Sequence, residues 1–211
     1  MELLVKLDAL NVLTIGHSTH SWERFLTILR SAGVTAIADV RTAPYSRLCP
    51  HFNRDELREG LRVNDISYVF LGKELGGRPS ERNLYCDGVA NYEKMSKAPA
   101  FDKGLQRVIE GAQKYRIALM CSEQNPLDCH RCLLVGRALA DRGVNVNHVL
   151  SDGTILNHQS IEDKLLELAD RGADDLFASR AERLSMAYRE RAQKVAFAES
   201  QSDSDRPVAA E

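Results

Sequence analysis

Short apolar runs that alternate with helix-patterned stretches constrain this chain more than any other feature of its sequence. Residues 12–15, 36–40, 67–71, 117–120 and 144–150 are each built largely of aliphatic, alanine and aromatic side chains. Between the first two, Phe25, Leu26, Ile28 and Leu29 recur at helical spacing behind Ser21, a suitable N-cap, and Gly33 ends the pattern. Nearly unbroken apolar strands are what a parallel sheet covered on both faces requires. The expected fold is therefore α/β: a single three-layer domain with a mostly parallel sheet of about five strands, plus C-terminal helices. Its crossovers should be right-handed, while strand order has no local signature.

The helical stretches predicted from periodicity are 53–64, with Leu57 and Leu61 inward, 100–114, and 128–141, which stops at Gly143. Residues 11–152 make up the expected core domain. An insertion at about 78–99, rich in Gly, Asn and Tyr, interrupts it and carries one short helix near 90–95. Residues 153–199 form a helical extension, with helices at 161–168 and 174–197, and the polar tail 200–211 is expected to be disordered.

The chain has 211 residues, enough for one domain that folds without staples. A net charge of −2 argues against a surface built to hold duplex nucleic acid. No run approaches the ~18 apolar residues that span a bilayer, so no membrane association is expected. Glu2, Lys6 and Asp8 interrupt the first ten residues, which reads as a cytoplasmic chain. Five cysteines, an odd number, then read as reduced thiols.

The polar residues that stand out all follow strands. His17 and Ser18 follow the first run; Asp39 and Arg41 close the second, with Ser46 and Arg47 in its loop. Lys73, Glu74, Gly76, Gly77 and Arg78 follow the third. Cys121 and Glu123 follow the fourth, and Cys129, His130 and Arg131 open the next helix. In open parallel sheets ligands bind outside the carboxyl ends of the strands, so these segments should meet in one crevice. Arg41, Arg47, Arg78, Arg131 and Lys73 there, with helix N-termini, suit an anionic ligand.

Each residue also has a plainer reading. Cys121 fits a small core residue, and Asp39 with Arg41 fits an ion pair that needs no ligand. Gly76-Gly77 fits a tight turn as well as a phosphate cradle, and His148 reads as structural. Cys129-His130-Arg131-Cys132 satisfies a C-x-x-C pattern, but on a helix Cys132 would face inward. Cys121, Cys129, His17 and His130 are donors zinc accepts, yet their spacing matches no standard zinc pattern. No cofactor is expected, with zinc as the alternative.

Taken together, Gly16-His17-Ser18-Thr19, Asp39-Val40-Arg41 with Pro44 and Ser46-Arg47, Leu75-Gly76-Gly77, and Cys121-x-Glu123…Pro126…Cys129-His130-Arg131 resemble the domain of unknown function 488 family. The resemblance spans roughly residues 12–152. It implies a compact α/β domain in a bacterial or archaeal cytoplasmic protein and no established reaction. Residues 82–98 and those after Gly153 lie outside its strongest motifs.

The functional expectation is an enzyme, a thiol- or carboxylate-dependent hydrolase or transferase, acting on a phosphorylated, nucleotide or nucleic-acid-derived substrate. Cys121, Glu123, Cys129 and His130 would be catalytic. His17, Ser18, Asp39, Arg41, Ser46, Arg47, Gly76, Gly77 and Arg131 would bind. The alternative is a non-catalytic module for nucleotides or nucleic acid, in which Tyr45, Phe52, Tyr68 and Tyr85 stack on bases. A homodimer through the C-terminal helices is a further expectation.

Overall fold

The computed structural model describes residues 10–173 and 177–199. The expectations for residues 1–9, for part of the second C-terminal helix, and for the tail 200–211 therefore fall wholly or partly outside the described residues.

The apolar run 12–15 lengthens by one residue at each end into β1 (Asn11–Gly16), the run 36–40 becomes β2 (Ala36–Asp39), and the run 67–71 becomes β3 (Ser67–Phe70). Two helices connect them. In α1 (Trp22–Ser31) Ser21 caps the start by accepting from the Arg24 N–H, and α2 (Arg54–Val63) buries Leu57 and Leu61. A single turn, α3 (Gly72–Leu75), follows β3.

The insertion holds more order than its sequence suggests. A short hairpin, β4 (Tyr85–Cys86) with β5 (Val89–Ala90), precedes the turn α4 (Tyr92–Met95). Then come α5 (Pro99–Ala112) and β6 (Ile117–Cys121). The predicted helix 128–141 takes an unexpected form: a π-helical segment, Arg131–Gly136, leads into the short α6 (Arg137–Ala140). Strand β7 (Asn145–Val149) turns back into β8 (Ile155–Asn157), which is followed by α7 (His158–Leu168) and α8 (Arg180–Val195).

The main sheet has six strands in the order β3-β2-β6-β1-β7-β8. All pair in parallel except β8, which runs antiparallel to β7 and extends the sheet beyond residue 152. Steps from β1 to β2 to β3 move one way across the sheet; steps from β3 to β6 to β7 move back. With crossovers of one hand, that reversal must put the two sets of helices on opposite faces. It does. Leu13, Ile15, Ile37, Ala118 and Met120 pack under α1 and α2, whereas Val12, Ala36, Ala38, Ile117 and Leu119 face a second core with Leu105, Leu133, Ile161, Leu165 and Tyr188. Alternation along each strand gives both faces an apolar layer.

The apolar faces of α7 and α8 thus find their partner in the chain's own core. No helix among the described residues is long and apolar enough to cross a membrane.

Candidate active site

The central strands β2, β6 and β1 end side by side, and pairing continues past them. The His17 N–H donates to the Cys121 carbonyl at 2.9 Å, Ser18 to Ser122 at 2.9 Å, and Val40 to Met120 at 3.0 Å. Gly16 permits this. A Cβ there would lie 1.8 Å from the Glu123 carbonyl oxygen, so only glycine lets the 121–124 segment cross the end of β1.

Four side chains meet just beyond β6. Glu123 Oε2 accepts from Cys121 Sγ at 2.8 Å and from Cys129 Sγ at 3.0 Å. His130 Nδ1 lies 3.7 Å from the first sulfur and 3.8 Å from the second. Its Nε2 sits 2.9 Å from the Val40 carbonyl oxygen, which can only accept, so Nε2 carries a proton. Gly77 makes room for the ring, since a Cβ there would come within 2.9 Å of His130 Cγ and Nδ1.

The polypeptide reaches this geometry through a tight turn. Asn125 caps the segment Pro126–Asp128 by accepting from the Leu127 N–H, and Arg191 of α8 pins it by donating to the Leu127 carbonyl and to Asp128. Arg131, fully buried, donates Nη1 to the Glu123 carbonyl at 2.6 Å and Nη2 to the Gln124 carbonyl at 3.0 Å. It fixes the loop rather than a ligand. Its backbone N–H points at Cys129 Sγ, 3.4 Å away.

Charge in this cluster is shared. Burial and the neighbouring Cys129 push the Cys121 thiol up. Burial also opposes ionisation of Cys129, but the hydrogen bond from Cys121 and the cations Arg131 and His130 outweigh it and hold that thiol well below the ordinary range. Of the two, Cys129 is thus the thiol that ionises more readily. Glu123 is exposed as a residue, yet its carboxyl is pushed up by desolvation at the cavity wall and by Cys129.

These groups line a cavity of about 150 Å³, together with Arg41, Thr42, Gly77, Arg78, Tyr92, Asp128 and Phe197. Phe197 arrives from the end of the described chain. After α8, its carbonyl accepts from the Ala90 N–H, Ala198 bridges to Val89, and Glu199 donates to the Gly88 carbonyl. The Arg78 guanidinium stacks on the Phe197 ring, 4.6 Å from its centroid. A wider cleft of about 680 Å³ lies next door between the hairpin, α4, α6 and α8, and shares Tyr92. Its lining carries no comparable set of thiol, imidazole and carboxyl groups.

Behind the cavity, Arg41 and Asp39 form a buried bidentate pair, with Nε to Oδ1 at 2.9 Å and Nη2 to Oδ2 at 2.7 Å. The Tyr68 hydroxyl donates to Asp39 at 2.9 Å. His17 stacks on Phe52 and receives Arg41 Nη1 on Nε2 at 3.2 Å, while its Nδ1 donates to the Ser18 carbonyl. Burial and the adjacent Arg41 lower His17 to about 4, so it stays neutral.

The residues singled out in the sequence thus separate into groups. Cys121, Glu123, Cys129, His130, Gly77 and Arg41 border one cavity. Asp39, His17, Ser18 and Arg131 support its walls, and Gly76 lets α3 turn close against Thr42. Ser46 caps its own loop through the Cys49 N–H; Arg47 and Lys73 are exposed and outside the cavity lining; Glu74 pairs with Arg107 at 2.6 Å. Of the four aromatics proposed to stack on bases, only Tyr45 is exposed. Thr42, Tyr92, Val195 and Phe197 line the cavity without having been singled out.

A second buried cluster lies three residues along from Cys129. Cys132 Sγ is 3.9 Å from His148 Nε2, which is 2.9 Å from His158 Nδ1. His148 Nδ1 meets the Thr14 hydroxyl at 2.8 Å, and His158 Nε2 meets the Tyr188 hydroxyl at 3.0 Å, which donates on to Glu162 at 3.1 Å. Burial lowers His158 to about 4 and, with His158 alongside, sets His148 well below its usual value.

Comparison with known families supports the motif reading. The pattern described as "Domain of unknown function DUF488" matches residues 21–138. The chain belongs to that family. The matched part of this DUF488 protein contains Asp39, Arg41, Gly77, Cys121, Glu123, Cys129 and His130, but not β1 or anything from β7 onward. Neither the curated proteins nor the solved structures yield a match.

Proposed function

We propose that this DUF488 protein is an enzyme that transforms a small phosphorylated, nucleotide or nucleic-acid-derived substrate at the Cys121–Glu123–Cys129–His130 centre. One observation carries the reading: a carboxyl oxygen, two thiols and an imidazole nitrogen are packed around one point on a cavity wall. Binding alone does not require that combination, because neither thiols nor a carboxyl whose ionisation is opposed by burial improve affinity for an anion. Glu123 is the proton carrier, and the sulfur and imidazole groups supply electron pairs. Arg78 at the rim and Arg41 in the wall give the entering substrate its positive surroundings.

Turnover of a panel of phosphomonoesters, phosphodiesters and nucleotides tests this, using the full chain with its thiols reduced. Glu123→Gln and Cys129→Ser should lower kcat at least 100-fold with unchanged thermal unfolding, while Arg78→Ala should mainly raise KM. Wild-type rates in both of the first two variants, or no turnover of any substrate, would end the proposal.

A further inference from the structure

Of the four groups at the cavity wall, the imidazole has the weakest partners. His130 Nδ1 has only sulfur atoms near it, at 3.7 and 3.8 Å, and its other nitrogen is committed to a carbonyl. For a tetrahedral zinc ion with Zn–S of about 2.3 Å and Zn–N of about 2.0–2.1 Å, the sulfur-to-nitrogen edge comes to roughly 3.5 Å. The observed separations lie a few tenths of an ångström outside that edge. The sulfurs and the ring nitrogen are all within 4.8 Å of one another.

We infer that Cys121, Cys129 and His130 hold a zinc ion, with the fourth position open to the cavity beside Glu123.

Three further features fit a metal. The Nε2–H of His130 bonded to the Val40 carbonyl is the outer contact that fixes a ligating histidine's tautomer and aims its free nitrogen. The Arg131 N–H directed at Cys129 Sγ supports a ligating sulfur. Charge also closes: two thiolates and one carboxylate give −3 in formal charge, and zinc with the buried Arg131 guanidinium gives +3. Two sulfur donors with one imidazole select a borderline-soft ion and discriminate against magnesium and calcium. Glu123 Oε2 is nearly equidistant from the two sulfurs, at 2.8 and 3.0 Å, and so stands beside the three donors without closing the set.

This deepens the enzymatic reading of the same centre, since it makes the thiols ligands. It can nevertheless stand without it.

The test uses the reduced full-length chain, stripped with chelator and titrated with zinc or cobalt(II). The expected result is one ion per chain, with cobalt giving the near-ultraviolet thiolate charge-transfer band and visible bands of a tetrahedral site. Cys121→Ser and Cys129→Ser should each weaken binding at least 100-fold, whereas Cys132→Ser should leave the stoichiometry and the spectrum unchanged. Circular dichroism of each variant separates loss of a ligand from loss of fold. No binding at equimolar metal overturns the inference, as does binding that survives the Cys121/Cys129 double substitution or disappears with Cys132→Ser. Full turnover by metal-free protein overturns it while sparing the enzymatic proposal. Bound metal with no turnover of any substrate does the reverse.

Discussion

Cys129 and Cys132 stand three residues apart and each lies beside histidine, yet their surroundings are opposites. Around Cys132 every imidazole nitrogen has a close polar partner: Thr14 to His148, His148 to His158, His158 to Tyr188, and Tyr188 to Glu162. The protons can run in one direction along that chain, each group donating once, and nothing is left over. Around Cys129 the imidazole faces two sulfurs, the carboxyl is shared between two thiols, and the group borders empty space. The closed cluster is organised to hold the fold together. The open one is the centre to which the proposed function assigns a substrate.

That contrast predicts different responses to perturbation. The largest should come from acid. His158 ionises at about 4 when folded and near 6.5 when unfolded, so between those values the unfolded chain binds more protons. Stability contributed by its neutral state is intact above pH 6.5 and is lost as pH falls toward 4, roughly 3 kcal/mol from this residue. Urea titrations from pH 7 to 4.5 should show that loss, and His158→Gln should make it shallower, the remainder coming from the buried His148 and His17. A profile equally steep in the variant would break the comparison.

Next in size is His148→Leu, which strands the Thr14 hydroxyl and His158 Nδ1 in the core. It should cost about 2 kcal/mol in equilibrium unfolding, whereas Cys129→Ser should cost less than about 1 kcal/mol. Equal costs would mean that both clusters are structural.

The smallest effect on stability concerns Gly77→Ala. The added methyl meets the His130 ring at 2.9 Å and must displace it. Zinc or cobalt affinity should fall about tenfold, as when an outer contact of a ligand is lost, with unfolding changed by about 1 kcal/mol at most. Unchanged affinity would show that the position of His130 is immaterial.

The strands of the parallel sheet were legible because each is an apolar run closed by glycine or a polar turn. Their order was not, since parallel neighbours come from distant segments and leave no local mark. Strand β8 and the β4–β5 hairpin, three and two residues per strand, are too short to show a period. The π-helical segment was hidden for a related reason: six consecutive buried residues have no polar face to report the pitch. At the site, Cys121, Glu123, Cys129 and His130 could be found as polar interruptions at a strand end. Sequence could not show that Phe52 and Tyr68 would turn inward, because an aromatic ring suits a core and a binding surface equally. His148 did carry a readable signal, since the two-residue period of β7 puts it on the buried face with Val146.

The order of strands has a practical consequence for anyone trimming this protein. The family segment at 21–138 contains β2, β3 and β6 but starts after β1, the strand between β6 and β7. A fragment cut to those limits would carry half a sheet with a raw edge down its middle. It would also lack Val195 and Phe197, the part of the cavity rim that only the far end of the polypeptide brings back.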